Sequence, residues 1–397
     1  MTLFFSLAAV FGPVMTAAAV SPTWSKDVAP IVNQRCVECH RAGEVAPMAL
    51  TSYQEARPWA KAIRERVLVR AMPPWLADPA HGSFRNDRRL SQGEIETVKA
   101  WVDAGAPEGD PKQTPPVPHF ETGWNIDKPD QIFDIGEDYE VPGQGVVAYK
   151  YFRVPTNFTG DKWVQSAEIR PDKRAVIHHI IVFIQEPKAE NFLGDSGSLL
   201  VGFAPGEPPL RFRPGTARLI KAGSTLVFQV HYTPNGKPAK DRSYIGLKYA
   251  DAPPQSRAMT GRALNFGLKI PAGADNHEVT ASWFANEDVR ITGLMPHMHL
   301  RGKAFQYTVV YPNGREDMIL SVPKYDFNWQ LSYELAQPLI LPKGSRIDCV
   351  AWYDNSPNNK YNPDASKEVR WGDQTWEEMM IGWFTYTIPV AAGPATD

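Results

Sequence analysis

From Phe120 to about Pro389 the chain is written in short β-branched and aromatic runs broken by Pro, Gly and Asn-Gly, with turn signals at Asn235-Gly236 and Asn313-Gly314. Little of this region has helical periodicity, so the pattern predicts strands throughout. The N-terminal part reads differently. Ala29 to Gln34 predicts a short helix and Tyr53 to Val69 a second. Ser91-Gln92-Gly93-Glu94 opens a third as a capping box. That third helix places Ile95, Val98, Trp101 and Val102 on one face and stops near Gly105. Pro-rich sequence, Ala106 to Pro118, separates the two regions. The expectation is a multidomain chain: a small all-α domain (22–110), a linker (111–119) and two all-β sandwich domains of jelly-roll type (120–255 and 256–391). The length of the β region argues for two units, and Asp251 to Arg257 is the polar stretch that would divide them.

Composition narrows this picture only slightly. The 397 residues are 43% hydrophobic and 22% charged, an ordinary globular balance. A formal net charge of -2 gives no reason to expect nucleic acid or an anionic membrane surface as partner. Leu3 to Phe11, followed by Ala17-Ala18-Ala19, reads as a secretory h-region and cleavage site, a leader over 1–21. No basic segment precedes it, so it is either cleaved or kept as an anchor. The expected location is periplasmic or secreted, with no stable membrane span elsewhere.

Three cysteines exclude a disulfide framework. Two stand in Cys36-Val37-Glu38-Cys39-His40, the attachment signature of a c-type haem, in which the thiols bind the haem covalently and His40 ligates the iron. Cys349, in an apolar strand-like run, reads as a small buried hydrophobe.

Histidine placement carries the rest. Nine are present, and five lie in or beside strand-like runs: adjacent His178 and His179, then His231, then His297 and His299 in Met295-Pro296-His297-Met298-His299-Leu300-Arg301-Gly302. Side chains alternate along a strand, so His297 and His299 point to one face. Apolar strands seldom spend positions on imidazole, because a buried polar ring needs a partner, and a metal such as copper or zinc would be one. The adjacent pair poses a difficulty. In a regular strand His178 and His179 face opposite ways, and they share a metal only if the backbone bends or they use different ring nitrogens. His81, His119 and His277 match no pattern.

Residues 22–110 resemble the class I cytochromes c. This implies a methionine as second axial ligand, with Met72 in Ala71-Met72-Pro73-Pro74 or Met48 in Ala46-Pro47-Met48 as the candidates. Residues 120–390 resemble the type II copper monooxygenases, the family of peptidylglycine α-hydroxylating monooxygenase and dopamine β-monooxygenase. The motifs that carry the likeness are His178-His179, His231, His297-Met298-His299-Leu300-Arg301-Gly302, and a methionine after acidic residues, Glu377-Glu378-Met379.

That resemblance implies two copper ions. His178, His179 and His231 would hold the one that stores an electron; His297, His299 and Met379 would hold the catalytic one. Met380 and Met318 are the alternatives to Met379. The implied activity is hydroxylation of a C–H bond of a small organic substrate with O2, electrons entering through covalent haem c from a redox protein or small reductant. Peptide-amidating members carry an arginine two residues before the His pair, where Met295 stands here, so a peptide C-terminus is not expected as substrate. The alternatives are a non-catalytic electron-transfer or copper-binding protein and, more weakly, a structural zinc protein.

Overall fold

The computed structural model describes residues 21–44, 46–120, 123–190, 198–204 and 206–390. Apart from Ser21, the expected leader lies outside them. Strand makes up 38% of the structure and helix 13%, which corrects the expectation of a small all-α cytochrome c domain in front of the β region. Helices are present there, but they are short: Ala29–Arg35, Tyr53–Ala56, Ala60–Leu68 and Gln92–Asp103. The run expected as one helix from Tyr53 to Val69 is broken by a 3-10 turn at Arg57–Trp59, where Pro58 has no N–H to donate. Turns and irregular backbone fill much of the remainder.

Contacts divide the chain into two compact units: residues up to Pro73 together with Leu90–Val117, and Pro74–Arg89 together with the chain from Pro118 onward. Within the first unit, Ser91 Oγ accepts from the Glu94 N–H at 3.2 Å and Glu94 Oε2 accepts from the Ser91 N–H at 2.6 Å, which completes the capping box. The buried face of the helix it opens holds Ile95, Val98, Trp101 and Val102. Trp101 packs on Trp24 at 5.9 Å between ring centroids and donates its indole N–H to Pro107 O at 2.9 Å.

The second unit contains a nine-stranded sheet that runs through both halves of the β region. Its junction is a parallel pairing of Ser256 and Arg257 with Thr216 and Ala217, across the stretch where a boundary was expected. Each half of this sheet is covered by a four-stranded sheet, giving two sandwich cores. In the first core Phe228 and Val230 of the strand Thr225–Tyr232 and Ile180 and Val182 of Ile177–Gln185 meet Val164 and Ile245 from the large sheet. In the second, Ile291 and Leu294 of Val289–His297 and Phe384 of Ile381–Pro389 meet Tyr307 and Cys349. Gly382 is required where these layers approach, because a Cβ there would stand 2.4 Å from Cys349 Sγ.

Several of these strands are apolar on both faces. One face enters a core; the other, carrying His179, Ile181 and Phe183 on one strand and Met295 and His297 on another, lines a cavity between the two sandwiches. That double burial explains why the runs read as almost continuously hydrophobic.

Residues Pro74–Arg89 interrupt the helical unit in sequence but pack with the β unit. Trp75 stacks edge-on to Tyr333 at 4.9 Å and lies 5.9 Å from Phe84, while Phe84 pairs with Leu335 as an isolated bridge. Trp75→Ala is expected to lower the stability of the β unit by about 3–5 kcal/mol, the usual cost of truncating a buried aromatic ring. Urea denaturation followed by the far-ultraviolet β signal measures it, and an unchanged midpoint would show that this segment does not support the sandwich.

Candidate functional site

The three-histidine set is built across one antiparallel strand pair. His179 stands directly opposite His231, and the register shifts between Ile177 and His179. This bulge makes His178 an extra residue, and a bulge turns two successive side chains toward the same side. The difficulty of adjacent histidines is thereby removed: His178 Nδ1 and His179 Nδ1 lie 3.1 Å apart, and one ligand atom from each of the three rings falls within 4.8 Å of the others. Ring centroids are separated by 5.4, 4.9 and 5.1 Å. His231 Nδ1 is buried without a hydrogen-bond partner among the described protein atoms.

The second set forms where the strand Val289–His297 ends. Met298 is fully buried in the second core, and His297 and His299 flank it with ring centroids 5.2 Å apart. His299 Nδ1 lies 3.2 Å from Glu377 O and His297 Nδ1 lies 2.6 Å from Gln330 Oε1. With Nδ1–H donating in each ring, both Nε2 atoms keep a lone pair, the tautomer a metal requires. His299 Nε2 is buried and has no partner among the described protein atoms. Met379 lines the same cavity as His297 and His179, whereas the neighbouring Met380 is buried in the second core.

Glu378 ties these pieces together. Its carboxylate accepts from the backbone N–H of Arg301 at 2.7 Å, of His299 at 2.8 Å and of Met379 at 3.3 Å. Burial pushes its pKa up to about 7, against the opposing pull of those donors and of the Arg301 guanidinium. Arg301 in turn donates to Asn355 Oδ1 and Trp376 O. Gly302 closes the turn tightly, since a Cβ there would meet Met298 and Tyr325 at 2.8 Å.

Two aromatic rings stand beside both sets. Tyr149 lies 4.7 Å from His231, 5.4 Å from His179 and 6.5 Å from His299. Phe327 stacks on His178 at 5.2 Å and lies 5.9 Å from His299. The loop that carries Phe327 also supplies Asn328, hydrogen-bonded to His178, Gln330, bonded to His297, and Tyr325, whose hydroxyl donates to Met298 O. None of these had a signal in the sequence, because a loop 30 residues downstream of the His pair has no periodicity that aims it back. Glu378 was visible only as part of an acidic-Glu-Met pattern, without a role.

Desolvation lowers the pKa of every imidazole in both sets: His231 to about 3, His297 to about 4, His299 to about 3, with His178 lowered and His179 well below the usual value. All five rings are therefore neutral at neutral pH. A cavity lined by His179 of the first set and His297 of the second has a volume of about 200 Å³ and is walled largely by apolar side chains, among them Ile181, Phe183, Met295 and Trp383.

In the helical unit, the His40 N–H bonds Cys36 O at 2.9 Å, so Cys36, Cys39 and His40 occupy one helical turn. Burial raises the Cys36 thiol to about 12 and lowers the imidazole of His40. His40 Nδ1 lies 3.2 Å from Met48 O, which leaves Nε2 for a ligand and places the Met48 backbone behind the ring. Met72 is half-buried. Among the described residues no helix is long and apolar enough to cross a membrane.

Two expectations follow. In metal-free protein, unfolded histidines take up protons near their ordinary value while folded His231, His297 and His299 resist until about pH 4 to 3, so the unfolded state binds more protons and stability falls as pH drops below about 6.5. Thermal midpoints measured between pH 7 and 4 should show this fall, with a shallower slope in His299→Gln. Separately, Glu378→Gln sets an amide N–H2 against three backbone donors, and any affinity of the second set for added Cu(I) should fall by about 10–100-fold while that of the three-histidine set is spared. Competition with a chromogenic Cu(I) chelator reads both affinities; equal losses would remove the clamp role.

No protein-family model matches the chain, and no curated protein matches it. Among solved structures, a chain of infectious bursal disease virus, Gx strain, is similar at 10% identity and a TM-score of 0.20, covering 67% of this chain and 75% of its own. An allantoicase is similar at 13% identity and a TM-score of 0.17, over 55% of this chain and 81% of its own. A Paenibacillus xanthan lyase is similar at 12% identity and a TM-score of 0.19, over 70% and 28%. At these TM-scores the likenesses carry no argument about fold or function.

Proposed function

We propose that this chain is a haem-copper monooxygenase that inserts one oxygen atom of O2 into a C–H bond of a small organic substrate. The observation that carries the reading is a pair of histidine sets that each contribute one ring, His179 and His297, to the wall of one apolar cavity, with neutral rings throughout and with buried nitrogens, His231 Nδ1 and His299 Nε2, that meet no partner among the described protein atoms. Three imidazoles and a two-imidazole, one-thioether group are donor sets suited to copper. Cys36, Cys39 and His40 would hold a covalent haem, with Met72 rather than Met48 as the methionine that helps to hold it, since the Met48 backbone stands on the Nδ1 side of His40.

Haem would supply the entry for single electrons, and copper would supply one-electron storage at the first set and O2 binding at the second. The balance is RH + O2 + 2 electrons + 2 protons → ROH + H2O. Within it, Gln330 and the Glu377 carbonyl orient the two rings of the second set, and Glu378 ties the His299–Arg301 turn to the segment that carries Met379. The apolar walls exclude water from the cavity and admit an uncharged substrate. Met295 offers no cation for a peptide carboxylate. Tyr149 and Phe327 fix the spacing of the two sets.

Mature protein is expected to carry one covalent haem and two coppers, measured by metal analysis and the absorbance of the reduced haem. Reoxidation of prereduced protein by labelled O2, with candidate small hydrophobic compounds present, should yield labelled product. Met379→Ala should abolish product while leaving the haem and the three-histidine copper reducible. Substrate-independent reoxidation, unchanged in Met379→Ala, would instead identify an electron-transfer protein.

A further inference from the structure

Gln330 sits in the loop between the strands Glu316–Val322 and Tyr333–Leu341 and lines the cavity beside His297 and Met379. Its Oε1 is 2.6 Å from His297 Nδ1. The reverse orientation of the amide would make Nδ1 the acceptor and force the proton onto Nε2, which could then bind no metal, so the ligating tautomer selects the orientation seen. That leaves the amide nitrogen committed elsewhere. Gln330 Nε2 is buried and has no hydrogen-bond partner among the described protein atoms. An unmet buried donor is costly, and a cavity wall is where a ligand can meet it.

Resting on the monooxygenase reading of this cavity, we propose that Gln330 is a substrate-positioning residue, with one end of its amide fixing His297 and the other donating to an acceptor oxygen of the substrate. The substrate class that follows is a neutral molecule with a compact apolar body and one alcohol, phenol or ketone oxygen. The body matches walls of Ile181, Phe183 and Trp383, and the volume of about 200 Å³ suits one substituted ring, since apolar cavities of about 150 Å³ hold benzene. A charged group fits less well. The Arg218 guanidinium on the wall is engaged by Ala258 O and Leu199 O, and that of Arg213 by Leu335 O. Because the same side chain grips ligand ring and substrate oxygen, the carbon bearing that oxygen and its neighbour are held next to His297.

The test is binding without turnover. Copper-loaded protein, kept as Cu(I) under argon, is titrated by calorimetry with ethylbenzene, acetophenone and benzoate. Acetophenone is expected to bind at least about tenfold more tightly than ethylbenzene, the worth of one buried hydrogen bond to an otherwise unmet donor. Gln330→Glu keeps an acceptor for His297 and removes the donor, so it should retain both coppers and lose the acetophenone advantage. Gln330→Leu removes both ends and should weaken copper at the second set as well. Equal affinity for acetophenone and ethylbenzene in the wild type, binding of neither, an advantage that survives in Gln330→Glu, or benzoate as the tightest ligand would each overturn the proposal. The wild-type ranking decides the matter even if a variant fails to fold. Failure of the monooxygenase reading is distinguishable, because it appears as absent labelled product while the binding preference stands.

Discussion

Five imidazoles taken out of water between two β-sandwiches are the constraint on which the β unit turns. Desolvation keeps every one of them neutral, and a neutral ring in an apolar wall carries one N–H and one lone pair, both of which must be met. Protein atoms meet part of that demand, through Gln330, Asn328 and the Glu377 carbonyl. His231 Nδ1 and His299 Nε2 stay unmet. An arrangement that strands buried nitrogens in this way is costly for folding alone and becomes favourable when a metal ion occupies the gap.

Holding such groups in place requires that the surrounding backbone be over-determined. The nine-stranded sheet passes without interruption from one half of the β region to the other through the pairing at Thr216 and Ser256; it includes the strand of His297, while the strands of His179 and His231 lie in the four-stranded sheet that covers its first half, all within one unit. Behind the second set, the contact of Gly382 with Cys349 brings the covering sheet close. Glu378 gathers three backbone donors from the His299 turn and the Met379 approach. Pro74–Arg89 adds a buried Trp75, Phe84 and Tyr333 cluster beneath the loop that reaches both sets.

The division of labour in the site follows from which face of each strand is used. Core-facing positions supply shape, and the alternate positions supply chemistry: His179 with Ile181 and Phe183, His231 with Gln229, His297 with Met295. A cavity made from the outer faces of two sandwiches is largely apolar by construction. Loop residues complete it, with Gln330 and Met379 both lying outside regular strand.

Much of this was legible in the residues. The β character of Phe120 to Pro389, the capping box at Ser91 and the same-face placement of His297 and His299 follow from local periodicity and capping chemistry, which act over a few residues. Other features were not legible. The N-terminal unit was overread as all-α because amphipathic spacing reports a preferred face, and it does not report that Pro58 breaks the run or that residues 74–89 leave to pack with the β unit. The bulge that turns His178 beside His179 depends on the register of a partner strand about 50 residues away. Tyr149, Phe327, Gln330 and the clamp of Glu378 likewise exist only once distant segments are packed. Residue type and spacing therefore determined which side chains had metal chemistry to offer; tertiary register and loop packing alone decided which of them meet, because those are set by contacts between segments far apart in the chain.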